Sequence, residues 1–173
     1  MNTNINKQQV LADTDAALSG LTNELQSISD KQINKVPFEG SWTAAQVAQH
    51  MIICNTGFAD MMHAPVIDTE RPIDELIPRL KADFLNFEVK FETAPFLAPE
   101  KKDYDKDELI ATLDKIRSSI LDAIETTDLS KTITAFELPV YGKLTRLEAA
   151  NFVMVHTQRH THQLKNIHNS LIK

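Results

Sequence analysis

The stretch 145-TRLEAANFVMVHTQRHTHQLKNIHNSL-171 decides how this chain folds. Thr145 followed three residues later by Glu148 has the form of a capping box, in which a hydroxyl and a carboxylate each satisfy a backbone N–H at a helix start. Behind it, Ala149, Phe152, Val153, Leu164, Ile167 and Leu171 recur at the spacing of one helix face, predicting a helix that runs nearly to the C-terminus. His156 and His160 interrupt that face. At about 100° per residue they lie about 40° apart, one turn from each other, so both point with the apolar side chains toward the interior of a helical domain.

The same periodicity extends outward from this helix. Leu11, Leu18, Leu21, Leu25 and Ile28 predict a first helix from about residue 5 to about residue 30. The loop 34-NKVPFEGSW-42 precedes a second capping box, Thr43 with Gln46, which opens a helix to about Met62 that Pro65 ends. On it Val47, His50, Met51, Cys54, Phe58 and Met61 form the core stripe, so His50 shares a buried face. After the charged loop 99-PEKKDYDKDE-108, Leu109, Leu113, Ile116, Ile120 and Ile124 define the third main helix. Between the second and third lies a long connection holding Pro65, Pro72, Pro78, Pro95 and Pro99. Within it Leu76, Leu80, Phe84, Phe87 and Phe91 predict an accessory helix. Only 132-TITAFELPVYGKL-144 has β-like composition, and an extended loop or short hairpin is expected there. With only four glycines in the chain, these elements predict an all-α four-helix bundle with a long crossover between its second and third helices.

A chain of 173 residues with 42% hydrophobic content supports one domain, residues 1–173, with one core. The net charge of -6, from 18 basic and 24 acidic residues without a basic run, argues against nucleic acid as a partner. No apolar stretch approaches the roughly 20 residues that span a bilayer, and MNTNINKQQV lacks the features of a secretory signal, so a soluble cytoplasmic protein without a membrane partner is expected. The single cysteine, Cys54, excludes an internal disulfide and a CxxC motif.

His50, His156 and His160 are therefore the histidines that share core stripes. Two ligands one turn apart on one helix, with a third from a facing helix, can present three imidazole nitrogens to one ion and leave positions for water or substrate, the pattern of a catalytic metal site. The competing reading is of packed core histidines bonded to backbone carbonyls, with Cys54 a small buried residue. His162 lies about 240° and His168 about 120° round the helix from His156, and His63 about 220° from His50, so all three are expected on the surface. HTQRH is not HExxH, because Thr157 stands where a zinc protease has its general base. No ExxH pair on a core helix, GxGxxG, P-loop or nucleophile elbow occurs.

The combination 42-WTAAQVAQH-50 with 156-HTQRHTHQL-164 resembles the DinB-like superfamily of small four-helix proteins, which includes bacillithiol S-transferases and mycothiol-dependent maleylpyruvate isomerases. The resemblance spans the whole domain. It implies an up-down-down-up helix order, a divalent metal on His50, His156 and His160, and homodimers. Imidazole ligands suit several metals, so the expected cofactor is a divalent ion such as zinc, nickel or iron. Gln46, Gln163 and Arg159 are candidates for supporting the ligands or positioning substrate. Two functions follow as expectations. The first is a metal-dependent transferase or hydrolase acting on a small molecule, with a low-molecular-weight thiol as one possible co-substrate. The second is a dimeric binding or regulatory module with a structural metal or none.

Overall fold

The computed structural model describes residues 5–172. Six helices form in the order α1 (Lys7–Ser27), α2 (Ala44–Asn55), α3 (Phe58–His63), α4 (Ile77–Phe84), α5 (Lys106–Thr126) and α6 (Arg146–Leu171). Their starts are set by side-chain caps. Asn6 and Asp105 each accept from the backbone N–H three residues on, and Thr43 with Gln46 and Thr145 with Glu148 form complete capping boxes. Each such cap stabilises its helix by about 1 kcal/mol.

Contacts at the helix ends give the directions. Lys7 Nζ donates to the carbonyls of Glu125 and Thr127, while Lys106 Nζ donates to those of Gln26 and Ile28, so α1 and α5 are antiparallel. His168 meets Glu24 and Ser27, which places the C-terminal ends of α1 and α6 together and makes them parallel. Gln46 reaches Glu100 ahead of α5, and His63 reaches Thr126 at its end, so α2 with α3 runs parallel to α5. The bundle is up-down-down-up, and the crossover is the connection this order requires.

The core fills as two clusters along the bundle axis. Leu18, Met62, Leu80, Ile120, Ile124 and Val155 belong to one. Leu21, Leu25, Val47, Met51, Leu113 and Leu164 belong to the other. Fully burying one such side chain contributes about 1.5–3 kcal/mol. On α6 the two clusters are represented by Val155 and Leu164, and His156 and His160 lie between them.

Three elements differ from the sequence expectation. The helix expected from Thr43 to about Met62 breaks in two at Gly57, whose φ of +82° is left-handed and ends the helical repeat. The accessory helix stops at Phe84, and Phe87 and Phe91 follow it in irregular chain. Arg159 takes the carbonyls of Phe84 and Asn86 as acceptors, which a continuing helix would need for itself. The β-like segment does close on itself, with bridges Thr132↔Thr145 and Leu138↔Gly142. It also pairs outside itself, since β2 (Thr132–Ile133) is antiparallel to β1 (Val66–Ile67), in register Val66↔Ile133. Periodicity within one segment carries no information about a partner more than sixty residues away.

Candidate metal centre

His50 sits on the inward face of α2 beside Met51, and His156 and His160 sit one turn apart on the facing side of α6. All three are buried, between 4% and 9% exposed. Their ring centroids are 5.6 Å apart for His50 and His156, 4.7 Å for His50 and His160, and 4.6 Å for His156 and His160. The Nε2 atoms of His156 and His160 are 3.1 Å apart.

The outer ring nitrogens explain this orientation. Nδ1 of His50 donates to the Leu97 carbonyl at 2.9 Å, and Nδ1 of His160 donates to Oε1 of Gln163 at 2.8 Å. Each acceptor is an oxygen without a proton, so each ring carries its hydrogen on Nδ1 and leaves Nε2 unprotonated; in the metal-free protein Nε2 of His160 accepts from Nε2 of His156. Burial, the main cause, holds all three rings below the ordinary histidine range, with the neighbouring imidazoles and Arg159 adding to it at His156 and His160. His160 is lowered to about 3, although its bond to Gln163 opposes the shift. Neutral imidazoles are the form that binds metal.

The site passes a test of fit. Ligands about 2.0–2.1 Å from a tetrahedral ion stand roughly 3.3 Å from one another, close to the His156–His160 spacing of 3.1 Å. Cys54 lies beside two of the three rings: its Sγ is 3.5 Å from Nε2 of His50, and donor atoms of His50, Cys54 and His156 all lie within 4.8 Å of one another, a set that His160 adjoins through its 3.1 Å contact with His156. Burial pushes the Cys54 thiol up to about 12, so it is neutral. Trp42 lies against His50 at 5.2 Å, and Phe152 stacks on His156 at 5.4 Å with its plane tilted only 10°.

The other candidates have varied surroundings. Gln163 stands directly behind His160. Gln46 instead closes the capping box at Thr43 and donates to the Glu100 carbonyl, which places it in the support of α2. Among the described residues Arg159 bonds neither to the imidazole nitrogens nor to a carboxylate. Its fork donates to the carbonyls of Phe84, Asn86 and Val89, and its guanidinium lies 4.6 Å over the Phe91 ring. His63, His162 and His168 stay outside the cluster: His63 meets Ala59 and Thr126, His162 stacks on Phe87 at 4.1 Å, and His168 meets Glu24. The acceptor of His50, the Leu97 carbonyl, had no signal in the sequence, because every residue carries a carbonyl.

Folding the metal-free chain with these rings buried and neutral has a pH consequence. Their folded pKa values lie below the ordinary 6.5, so as pH falls the unfolded chain takes up protons first. Their contribution to stability is therefore complete above about 6.5 and is lost as pH falls toward the lowered folded values. The urea midpoint of the metal-free protein should fall between pH about 7 and pH about 5, and fall less in His156→Gln, His160→Gln. An equal fall in both proteins would remove the histidines as its cause.

Two solved structures share the fold. A structure described as TT2238, a four-helix bundle protein, matches with a TM-score of 0.58 at 20% identity, covering 92% of this chain and 98% of the other. YfiT from Bacillus subtilis, described as "a probable metal-dependent hydrolase with an unusual four-helix bundle topology", matches with a TM-score of 0.64 at 16% identity, covering 96% and 88%. No curated protein matches the chain. The family profile of the DinB superfamily matches residues 10–164, a span that begins in α1 and takes in both capping boxes and all three converging histidines. With most of its length inside that profile and its helices in the same arrangement, this chain belongs to the DinB superfamily.

Proposed function

We propose that the protein is a metal-dependent enzyme acting on a small molecule, in which His50, His156 and His160 hold one divalent ion such as zinc, nickel or iron. The observation that carries this reading is the pair of Nδ1 bonds to Leu97 and Gln163, which turns two Nε2 lone pairs inward beside a third imidazole. Outer-ring bonds of this kind orient histidine ligands in metal sites. When bound, such an ion supplies a Lewis acid that lowers the pKa of a water or thiol in contact with it, making a nucleophile available at neutral pH. Hydrolysis is the favoured reaction, supported by the likeness to a probable metal-dependent hydrolase. Transfer of a low-molecular-weight thiol is the alternative use of the same site. Phe84, Phe152 and Trp42 flank the imidazoles and supply the apolar surroundings that keep them neutral. A homodimer is the state the family resemblance favours, and no described helix is long and apolar enough to cross a membrane.

Elemental analysis after reconstitution with each metal tests the proposal, with about one equivalent per chain expected. Binding of none would leave a bundle with packed core histidines.

One observation supports a second reading, a non-catalytic module whose ion is fully enclosed by protein. Cys54 is grouped with His50 and His156 as a donor, and together with His160 beside His156 it would fill a shell of four, which is the structural pattern. Cys54→Ser distinguishes the two. The enzyme reading expects the variant to keep its metal, and the cobalt-substituted native protein to lack thiolate-to-metal absorption. A thiolate band in the native protein, with metal lost from the variant, would favour the closed module.

A further inference from the structure

The crossover passes over the side of the bundle on which the histidines meet. It leaves α4, which packs on α6, and reaches the 3-10 turn Pro95–Leu97, whose last carbonyl accepts from His50 on α2. The segment between them therefore bridges the groove between α2 and α6, where His50 faces His156 and His160. Residues 85–92 are all exposed, including Phe87, Val89 and Phe91, so the segment adds little burial of its own. Its internal bonding is sparse: the Val89 N–H reaches the Asn86 carbonyl at 3.4 Å, the Glu88 N–H reaches the Asn86 side chain, and among the described residues no backbone N–H of 90–94 has a protein acceptor. Few buried contacts and few backbone bonds mark a segment that opens at low cost.

Arg159 is the main polar tie across that segment. From α6 it donates to three carbonyls, those of Phe84, Asn86 and Val89, and covers the Phe91 ring. Phe91 in turn stacks on Phe84 at 5.2 Å, and Phe84 sets its edge against His156 at 5.9 Å. Hydrogen bonds from a charged donor are stronger than neutral ones, and the fork of one arginine makes several at once. At its other end the segment is tied by Leu97 to the ring of His50.

We infer that residues 85–94 form a flap over the histidine cluster and that Arg159 is its latch, a positioning residue that controls entry to the site and, through Leu97, holds His50 in its orientation. The inference rests on the metal-site reading only for what passes under the flap. The latch itself can be tested without metal.

Arg159→Met removes the fork while keeping most of the apolar stem, and Arg159→Lys keeps the charge but cannot bridge three carbonyls. Three rates are compared with the native protein. The first is tryptic cleavage after Lys90, the only basic residue in 85–94, identified by mass spectrometry. The second is modification of Cys54, the only cysteine, by a thiol reagent in metal-free protein. The third is removal of bound metal by a chelator. Both variants should keep native helical circular dichroism and show all three rates raised, by about tenfold in Arg159→Met, as expected for loss of a local tie.

Unchanged cleavage at Lys90 in both folded variants would overturn the latch. Faster cleavage with unchanged Cys54 modification would overturn the flap as the route to the cluster. A native protein that holds no metal would refute the metal reading alone, because cleavage and thiol modification would still decide for or against the latch. Should Arg159→Met fail to fold, Arg159→Lys carries the same comparison.

Discussion

His160→Ala is expected to lose nearly all bound metal while remaining a folded helical protein. The substitution removes one of three converging nitrogens and leaves Gln163 with nothing to orient. Loss of an outer partner alone weakens metal sites about 10–100-fold, and loss of a ligand should exceed that. The fold should persist, because the apolar stripe of α6 continues on both sides in Val153, Val155, Leu164 and Ile167 and alanine favours helix. A metal at one hundred times its dissociation constant stabilises the folded state by about 2.7 kcal/mol, so the metal-dependent rise in melting temperature should vanish with the site. The double variant His50→Ala, His156→Ala should behave alike. His162→Ala and His168→Ala are the controls, since their rings are held by Phe87 and by Glu24, away from the cluster. Metal content near the native level in His160→Ala would refute the assignment, and a large loss in either control would mean the ion is bound elsewhere.

The second large effect is on stability, at the base of the crossover. Glu148 is fully buried and accepts from four donors: two nitrogens of Arg71 at 2.6 Å each, the Leu76 N–H at 2.8 Å and the Thr145 N–H at 2.9 Å. One carboxylate thus completes the cap of α6 and fastens the chain leading into α4. Glu148→Ala leaves two backbone N–H groups without their partner, each costing about 1–3 kcal/mol, and takes one acceptor from the partly exposed Arg71 guanidinium, which keeps the Pro72 and Lys143 carbonyls. Against a typical total of about 5–15 kcal/mol the variant should be severely destabilised. For a chain of this size the loss corresponds to roughly 2–4 °C in melting temperature for each kcal/mol. Glu148→Gln retains an acceptor for the cap and should fall between the two. Denaturant unfolding that places Glu148→Ala within about 1 kcal/mol of the native protein would show that water replaces these bonds at little cost.

The crossover is fastened at its start by Glu148 through Arg71 and Leu76, in its middle by Arg159, and at its end by the 2.9 Å bond from His50 to Leu97. The site is thus shaped by a segment without regular structure over much of its length, held by side chains of α6 and α2.

How much of this was readable in advance follows from the range of each interaction. Helix starts rest on contacts three residues apart, so Thr43 with Gln46 and Thr145 with Glu148 announced two of them correctly. Helix faces rest on a repeat of about 3.6 residues, which put His50, His156 and His160 on buried stripes and His63, His162 and His168 off them. The same rule failed where a distant group competed for the backbone. The run Leu76, Leu80, Phe84, Phe87, Phe91 reads as a helix, but Arg159 claims its carbonyls from 84 onward. Gln46 could be read as facing the metal or as half of a capping box, and only the tertiary structure assigns its side chain to the cap.

The sequence by itself determined the all-α class, the two capping boxes and the helix faces that carry three histidines inward, because each depends on residues within a turn or two of one another. The tertiary structure decided that those histidines meet, that the Leu97 carbonyl and Gln163 take the Nδ1 hydrogens of His50 and His160, and that Cys54 lies beside His50 and His156. It also decided the course of the crossover. The physical reason is common to all of these: which nitrogen of a ring is free, and which carbonyl a guanidinium takes, depend on groups brought within about 3 Å by packing, and no local pattern of residue types records that approach.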